Sequence, residues 1–251
     1  MPPSLARRGA VTMTEHSAHA AARPVGPPVE PLPSGRAPQR APLVGAEVRL
    51  EPVEASVHAA SLYRLSHARP EDAVLWTYLA YGPFQDQGAF AAWLEERARS
   101  SDPLFFAIVE QASGAAAGMA SYMNIVPANG AIEIGHIWFA PALQQSRAAT
   151  EAIYLLARHA FDDLGYRRLE WKCDALNAPS IRAARRFGFT YEGTFRQHMI
   201  VKGCNRDTAW FALLDRDWPL QRAAFERWLA ADNFEPDGRQ RVALSALTSA
   251  R

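Results

Sequence analysis

The sequence predicts a mixed α/β fold: a single domain with a central, mostly antiparallel, twisted sheet of about seven strands, flanked by helices. Three observations support this fold class. Segments of alternating polarity, typical of strands, are interleaved with segments of helical periodicity. Of the 251 residues, 49% are hydrophobic and 10% are aromatic, so the chain can bury a sizeable core. The sequence has no visible internal repeat, which argues against a solenoid.

The first part of the domain is predicted to hold one strand, two helices and an aromatic loop between the helices. The strand alternates in polarity, and the second helix begins after Asp86, a favourable N-cap residue. In chain order the segments are EVRLEPV (47–53), SVHAASLYRLSH (56–67), LWTYLAYGPF (75–84) and DQGAFAAWLEERARS (86–100).

Three strands are predicted next, at 104–110, 116–126 and 131–140, and a Ser-Gly turn pair separates the first two. The third of them contains Gly135 in its interior, where glycine often marks a bulge or a close approach of another backbone. A bulge here splays this strand, the fourth of the sheet, away from the fifth. The sequence therefore predicts a V-shaped opening between the fourth and fifth strands.

The remaining elements alternate between helices and strands. A helix ends at Gly165, a strand covers 167–173, and a short helix at 177–189 is closed by Gly188. The residues KGCN (202–205) predict the turn of a β-hairpin. A C-terminal helix then completes the domain.

Both ends of the chain are predicted to lie outside the domain, which spans 45–233. Residues 1–44 contain nine of the 18 prolines and no Phe, Trp or Tyr. This composition is typical of a disordered segment, because such a segment buries too little apolar surface to offset the entropy of ordering. Residues 234–251 are expected to form a loose C-terminal tail.

Charge, cysteine content and hydropathy exclude several classes of protein. The net charge of +1 argues against a general nucleic-acid binder. Two cysteines are too few for a disulfide framework or an all-cysteine zinc site. No segment approaches about 18 consecutive apolar residues, and no signal-peptide pattern follows the N-terminal arginines. We therefore expect a cytoplasmic protein without nucleic-acid, membrane or metal partners, either monomeric or homodimeric.

The helix before Gly165 begins with few residues that are able to cap it. The first turn of a helix leaves four N–H groups without partners, and the helix dipole adds positive potential there. We hypothesise that a phosphate satisfies these groups; the alternative is an ordinary helix start whose N–H groups bind water. The segment consists of Gln144, Gln145, Ser146, Arg147, Ala148 and Ala149.

The splayed strands predict a second binding feature beside this helix start. Unpaired backbone groups at a strand edge can bind an extended, amide-containing ligand as they would bind another strand. A diphosphate at the helix start and a peptide-like arm in the strand cleft together describe coenzyme A.

Three motifs follow one another in the order strand–helix–strand–helix–hairpin. They are QQSRAATEA (144–152), NAPS (177–180) followed by GF (188–189), and FRQHMIVKGCNRDTAWFALLDRDW (195–218). The first resembles a cofactor loop of the form Q/R-x-x-G-x-G/A that continues into T-E-A. Together the motifs resemble the GCN5-related N-acetyltransferases (GNAT), and within them the RimJ/RimL type. The resemblance covers roughly residues 48–218.

The sequence departs from the family pattern at two positions. Arg147 stands where the loop has its first glycine, which lets the backbone approach a diphosphate. Arginine fits there if its φ is negative, and its guanidinium is able to pair with a phosphate. Ala184 stands where many members have a tyrosine that protonates the departing thiolate. Ser180 is therefore our candidate for that proton donor, and capping of the following helix is the alternative role.

The resemblance implies direct attack of an amine on acetyl-CoA, the expected co-substrate, without a covalent enzyme intermediate. The acceptor is a protein N-terminus, an amino acid or a small amine. The backbone N–H groups of Ile137, Trp138 and Phe139 are expected to polarise the thioester carbonyl, and Asn177 to hold the cofactor arm.

Glu133 is the first candidate for the general base, acting through water, and its alternative role is that of a surface carboxylate. His136 is the second candidate, on the acceptor side. The alternation of the strand places His136 on the same face as Ile132, Ile134 and Trp138, so a hydrogen-bonded core histidine is the alternative.

The aromatic loop is the candidate acceptor site, since its side chains are able to line a groove; a place in the core is the alternative. These side chains are Trp76, Tyr78, Tyr81 and Phe84.

A second hypothesis is a catalytically silent acyl-CoA-binding regulatory module on the same fold. The motifs of dinucleotide-binding proteins, P-loop proteins, zinc metalloproteases and α/β-hydrolases are absent from the sequence.

Overall fold

The computed structural model describes residues 23–249, and an eight-stranded sheet forms its centre. The strand order is β1-β2-β3-β4-β5-β6-β8-β7. Every neighbouring pair is antiparallel except β5 and β6, which run parallel. The strands are β1 (Leu43–Val44), β2 (Val48–Pro52), β3 (Leu104–Glu110), β4 (Ala116–Val126), β5 (Ala131–Phe139), β6 (Arg168–Asp174), β7 (Thr190–Val201) and β8 (Cys204–Leu214). The predicted fold class is confirmed, with the two-residue β1 added at one edge.

Six α-helices flank the sheet in residues 23–249. They are α1 (Ala55–Ser66), α2 (Gln87–Ala98), α3 (Arg147–Arg158), α4 (Ala178–Arg186), α5 (Trp218–Leu229) and α6 (Leu244–Thr248). Asp86 caps α2 as predicted, since its carboxylate accepts the N–H of Ala89 at 2.8 Å. Gly165 and Gly188 follow α3 and α4 with φ values of +75° and +84°, a left-handed conformation that glycine adopts without a steric penalty.

The sheet separates two apolar clusters. The larger cluster joins one sheet face to α3, α4, α5 and α6, and Ile132 and Ile134 of β5 belong to it. The smaller cluster joins the opposite face to α1 and α2, and it contains Trp76, Phe90 and Trp138. Strand β5 thus contributes side chains to both clusters.

Strands β5 and β6 pair only at their beginnings. Their parallel register runs from Ala131 opposite Arg168 to Glu133 opposite Glu170, and no strand within residues 23–249 pairs with this edge of β5 beyond that point. These are the fourth and fifth strands of the sequence prediction, so the predicted opening is present.

A bulge in β5 lies next to Gly135. Met119 pairs with Trp138 and Ser121 with Gly135, so β5 has one residue more than β4 between these pairs. The residue with left-handed backbone is His136, at φ +52°. The prediction that His136 shares a face with Ile132 and Ile134 is wrong, because the extra residue turns it to the opposite face.

Gly135 is required for a different reason. A Cβ at this position would lie 2.3 Å from Sδ of Met123, so no larger residue fits without displacing that side chain. Gly135 is therefore needed for close packing against Met123, and His136 is the residue with the left-handed backbone conformation.

The segment before the domain does not follow the prediction of a disordered tail over its whole length. Residues 1–22 lie outside the described residues. Gly35 donates its N–H to the Pro127 carbonyl at 3.2 Å, and Arg36 donates its N–H to the Leu164 carbonyl at 2.9 Å. Strand β1 then joins the sheet. The second half of the segment therefore contacts the domain, through backbone hydrogen bonds that its composition did not indicate.

The segment after α5 is also ordered, in contrast to the predicted loose tail. Leu244 of α6 is fully buried, and the Thr248 hydroxyl donates to the Arg186 carbonyl at 3.2 Å. Trp228 donates its indole N–H to the Gln240 side chain at 2.7 Å. Helix α6 has only five residues, too few to show helical periodicity in the sequence.

Candidate active site

The start of α3 leaves three backbone N–H groups without acceptors. Ser146 is the N-cap, and its hydroxyl oxygen accepts the N–H of Ala149 at 3.0 Å. Among residues 23–249, no hydrogen bond engages the N–H groups of Gln145, Arg147 or Ala148. Three donors at one helix N-terminus form a site for an anion. The N–H of Ala149 is engaged within the chain.

The loop before α3 is held by a contact with the end of β5 and by a buried leucine. The Gln144 side chain donates to the carbonyl of Phe139, the last residue of β5, at 3.0 Å. Leu143 is fully buried, and Gln145 adopts a left-handed conformation at φ +58°. These contacts hold the helix start at the end of β5.

The side chain of Arg147 turns away from the helix start. Its guanidinium donates to the Leu229 carbonyl at 2.6 Å, lies 3.3 Å from a carboxylate oxygen of Glu47, and covers the ring of Phe234 at 4.9 Å. The backbone of Arg147 is helical, so arginine fits where the family has glycine. The predicted pairing of this guanidinium with a phosphate differs from the structure, because three partners from other segments engage it.

Glu151 has a role that the sequence analysis missed. Its buried carboxylate accepts the backbone N–H groups of Ala46, Glu47 and Val48 at 2.6–2.9 Å. A Cβ on Gly45 would lie 2.5 Å from this carboxylate. The glutamate of the T-E-A motif thus fixes the beginning of β2 on α3.

The residues around the opening fit a coenzyme A molecule. The free edge of β5 at 137–139 matches an extended amide-containing arm, and the donors of α3 match a diphosphate. Asn177 caps α4 by accepting the N–H of Ser180 at 3.1 Å. Ser180 is therefore not the cap. Its oxygen accepts the indole N–H of Trp171 at 2.9 Å, and its hydroxyl is hydrogen-bonded to the side chain of Cys173.

Glu133 lies at the base of the opening in a network of charged groups. One of its carboxylate oxygens accepts from Lys172 at 2.8 Å and from the Asn124 side chain at 2.6 Å. Lys172 also contacts Glu170 at 2.7 Å. Burial raises the pKa of Glu133, and Lys172 opposes that rise. The other oxygen of Glu133 lies 3.7 Å from the position of a Cβ on Gly135 and forms no hydrogen bond among the described residues.

His136 packs against the aromatic cluster on the sheet face that carries α1 and α2. Its ring stacks on Tyr81 with centroids 5.6 Å apart and lies 4.9 Å from Phe105. Burial, aided by Arg97 and Arg206, lowers the pKa of His136 to about 4. The imidazole is therefore neutral at pH 7.

The aromatic loop divides between the core and the surface. Trp76 is fully buried, and Phe84 packs edge-on against it with centroids 5.6 Å apart, so these two belong to the core beneath the loop. The predicted groove position is wrong for fully buried Trp76. Tyr78 donates its hydroxyl to the Leu176 carbonyl at 3.0 Å, so the loop reaches across to the segment that follows β6.

The comparisons with known proteins agree with this geometry. A family model described as an acetyltransferase (GNAT) domain matches residues 47–190, more than half of the chain. The chain belongs to the GNAT family. A GCN5-related N-acetyltransferase from Brucella melitensis is 45% identical, with a TM-score of 0.84, over 86% of this chain and 97% of that one. A "probable acetyltransferase" of the GNAT family from Chromobacterium violaceum ATCC 12472 is also 45% identical, with a TM-score of 0.73, over 79% and 98% of the two chains.

One curated relative supports the RimJ/RimL resemblance. "Putative ribosomal N-acetyltransferase YdaF" from Bacillus subtilis (strain 168) is 31% identical over 105 residues. The match covers 42% of this chain and little more than half, 57%, of that relative.

Two further properties of the described residues concern metal binding and the spanning of a membrane. Within residues 23–249, no three His, Cys, Asp or Glu side chains are grouped so that they hold a metal ion. No helix in the same range is both long and apolar enough to cross a bilayer.

Proposed function

We propose that this GNAT protein is an acetyl-CoA-dependent N-acetyltransferase that acts in the cytoplasm by direct attack of a primary amine. The acceptor classes that we consider are a protein N-terminus, an amino acid and a small amine. The name of the relative from Bacillus subtilis supports a protein acceptor.

One observation carries the proposal: within residues 23–249, the unpaired edge of β5 is followed by a short loop and by three N–H groups at the start of α3 that form no hydrogen bond. A backbone edge and an anion site in sequence along one loop suit a ligand that has an amide arm and a diphosphate. In this proposal the donors belong to Gln145, Arg147 and Ala148. The side chains of Gln144 and Ser146 and the N–H of Ala149 shape the loop.

In the proposed mechanism the bound co-substrate supplies the acetyl group as an activated thioester. Glu133 is the general base and removes a proton from the acceptor amine through a water molecule. Its carboxylate is suited to this role because one oxygen is held by Lys172 and Asn124 and the other faces the β5 bulge. The raised pKa brings the base closer to neutral pH, where proton transfer is more effective.

The backbone farther along β5 and the beginning of α4 provide the other groups. Backbone N–H groups on the free edge of β5, at Ile137 and Phe139, polarise the carbonyl that is attacked, whereas the N–H of Trp138 points to β4. Ser180 donates the proton that the leaving sulfur takes up: Trp171 donates to its oxygen, and its hydroxyl turns from the Cys173 sulfur to the leaving sulfur. Asn177 holds the beginning of α4 and the cofactor arm beside it.

A specific observation favours the alternative, a catalytically silent acyl-CoA-binding module. Ala184 stands at the position of the family tyrosine, and it is fully buried in the core. Turnover decides between the two functions, since a silent module binds the co-substrate without acetylating any amine.

We expect acetyl-CoA to raise the melting temperature at concentrations of about tens of micromolar, because a ligand of the folded state stabilises it by mass action. Dephospho-CoA should act nearly as well, since the diphosphate and the amide arm provide the main contacts. Acetylation is then measured with peptides, amino acids, polyamines and aminoglycosides. An unchanged melting curve at millimolar acetyl-CoA would overturn the proposed co-substrate.

A further inference from the structure

Several hydrogen-bond donors around His136 and β8 are buried without partners among residues 23–249. They include Nε of Arg97 and the indole N–H groups of Trp76 and Trp138. Three others are Nε of Arg206, the indole N–H of Trp210 and the hydroxyl of Tyr81. A buried donor without an acceptor is destabilising, and native proteins retain few of them. A ligand that brings acceptor atoms explains their presence.

Arg206 and Trp210 face the same region as the proposed base. Side chains alternate along β8, so Arg206, Thr208 and Trp210 share one sheet face. Lys172 connects this face to Glu133: its ammonium lies 3.9 Å from the Trp210 ring centroid and 2.8 Å from the Glu133 carboxylate. The donors of β8 therefore lie alongside the site where the amine is deprotonated.

Tyr81 approaches the same region from the aromatic loop. Its ring stacks on His136, which directly follows Gly135 in the β5 bulge. Arg206 and Arg97 are both near enough to His136 to disfavour its protonation. Strand β8 and the aromatic loop therefore bring cations and hydrogen-bond donors to the proposed acceptor site, and the His136 imidazole between them is neutral.

Arg206 has no anionic partner in the described part of the chain. The side chain of Arg206 is half-buried, and its guanidinium forms no ion pair or hydrogen bond with the described residues. The carboxylate of the adjacent Asp207 accepts from the Gln197 backbone, and that of Asp174 accepts from the Leu176 backbone. A half-buried guanidinium without a carboxylate is suited to bind one from outside.

These contacts define the chemistry of the acceptor. Arginine and the tryptophan indole only donate hydrogen bonds, so the complementary ligand group is an acceptor that carries negative charge. We infer that the acceptor presents a carboxylate close to its primary amine, and that Arg206 binds this carboxylate. The inference rests on the proposed function and narrows its acceptors. A free amino acid and a peptide with an acidic residue beside its N-terminus both carry this group, whereas a polycationic amine does not.

The test uses pairs of acceptors that differ only in charge. One pair is a free amino acid and its amide; the other is a pair of peptides with Glu or Gln as the second residue and an amidated C-terminus. We expect kcat/KM to be higher for the carboxylate member by about tenfold or more, mainly through KM. A preference within the first pair indicates that the enzyme binds the carboxylate of a free amino acid. A preference within the second pair indicates that it binds the acidic side chain of a peptide.

Variants then assign the preference to Arg206. Arg206→Met should abolish most of it, Arg206→Lys should retain part of it, and both should keep wild-type affinity for CoA. Arg222→Met is the matched control, because Arg222 is exposed on α5 and pairs with Glu226. If Arg206→Met does not fold, Trp210→Phe removes one buried donor while keeping an aromatic ring, and it should reduce the same preference.

Equal kcat/KM values within both pairs, or an undiminished preference in Arg206→Met, would overturn the inference while leaving the proposed function intact. Failure to acetylate any amine contradicts the proposed function instead. In that case, calorimetric titration of the carboxylate acceptors into the CoA-bound protein tests the carboxylate site separately. Binding to the wild type that is lost in Arg206→Met supports the site. Absence of binding to the wild type overturns it.

Discussion

The two sides of the β5–β6 opening are built from different parts of the chain. On the α3 side, the free donors are backbone N–H groups within four consecutive residues, 145–148. On the acceptor side, the polar groups are side chains from β5, β6, β8 and the aromatic loop. A backbone N–H remains when the side chain is substituted, which explains how Arg147 can replace a glycine. A side-chain donor is lost when its own residue is substituted. We therefore expect the two sides to differ sharply in their sensitivity to mutation.

The largest effect is expected for Glu133→Gln on the acceptor side. Loss of a general base lowers the rate by about 10²–10⁴-fold, so kcat should fall by at least about a hundredfold. Glutamine is still able to accept from Lys172 and Asn124, so the fold and the affinity for CoA should remain. Steady-state kinetics and CoA calorimetry on the same preparation measure both quantities. The loss should be greatest between the pKa of Glu133 and that of the amine, where the carboxylate is ionised and most of the amine is still protonated. A kcat equal to that of the wild type across the pH range would remove Glu133 from the mechanism.

The α3 side was largely predictable from the sequence because its contacts are local. The helix start from Gln144 to Ala149 and the glycines that follow α3 and α4 depend on residues close to each other in the chain. Hydrophobic periodicity and turn residues record such features directly. The opening was predicted from the glycine inside the fourth predicted strand, whereas the place of β8 between β6 and β7 was not predicted.

The acceptor side was not predictable in the same way. The sequence indicated a bulge near Gly135 but not that His136 carries it, and this one residue decides which face His136 joins. The contact of Lys172 with Glu133 depends on the register between β5 and β6, which no local pattern contains. The contact of Arg147 with Leu229 joins residues 82 positions apart.

A matched pair of variants at Arg147 separates backbone from side chain on the α3 side. Arg147→Ala and Arg147→Pro both remove the contacts with Glu47, Leu229 and Phe234, and only proline also removes the N–H. Proline is tolerated at the first helical position, and Ser146 already has the extended backbone (φ −83°, ψ 168°) that favours a following proline. The two variants should therefore melt at similar temperatures.

The proline variant should bind CoA about tenfold more weakly than the alanine variant, the effect of one lost charge-assisted hydrogen bond. The alanine variant should lie within a few-fold of the wild type. Isothermal calorimetry on both folded variants measures the difference. Equal affinities would show that the helix start does not hold the diphosphate, and the contrast between the two sides would fail.

The smallest effect is expected for Lys172→Met, because it is confined to low pH. Burial and the nearby Glu170 raise the pKa of Glu133, and Lys172 lowers it. Without the ammonium, the pKa of Glu133 rises further, so at a given acidic pH a smaller fraction of the base is ionised. The acid limb of the pH profile of kcat/KM should therefore move to higher pH, while the rate at the alkaline plateau stays close to that of the wild type. Lys172→Arg keeps the charge and should restore the acid limb. A profile that does not move, or that moves to lower pH, would mean that the carboxylate held by Lys172 is not the base, and that the network at the base of the opening only supports the fold.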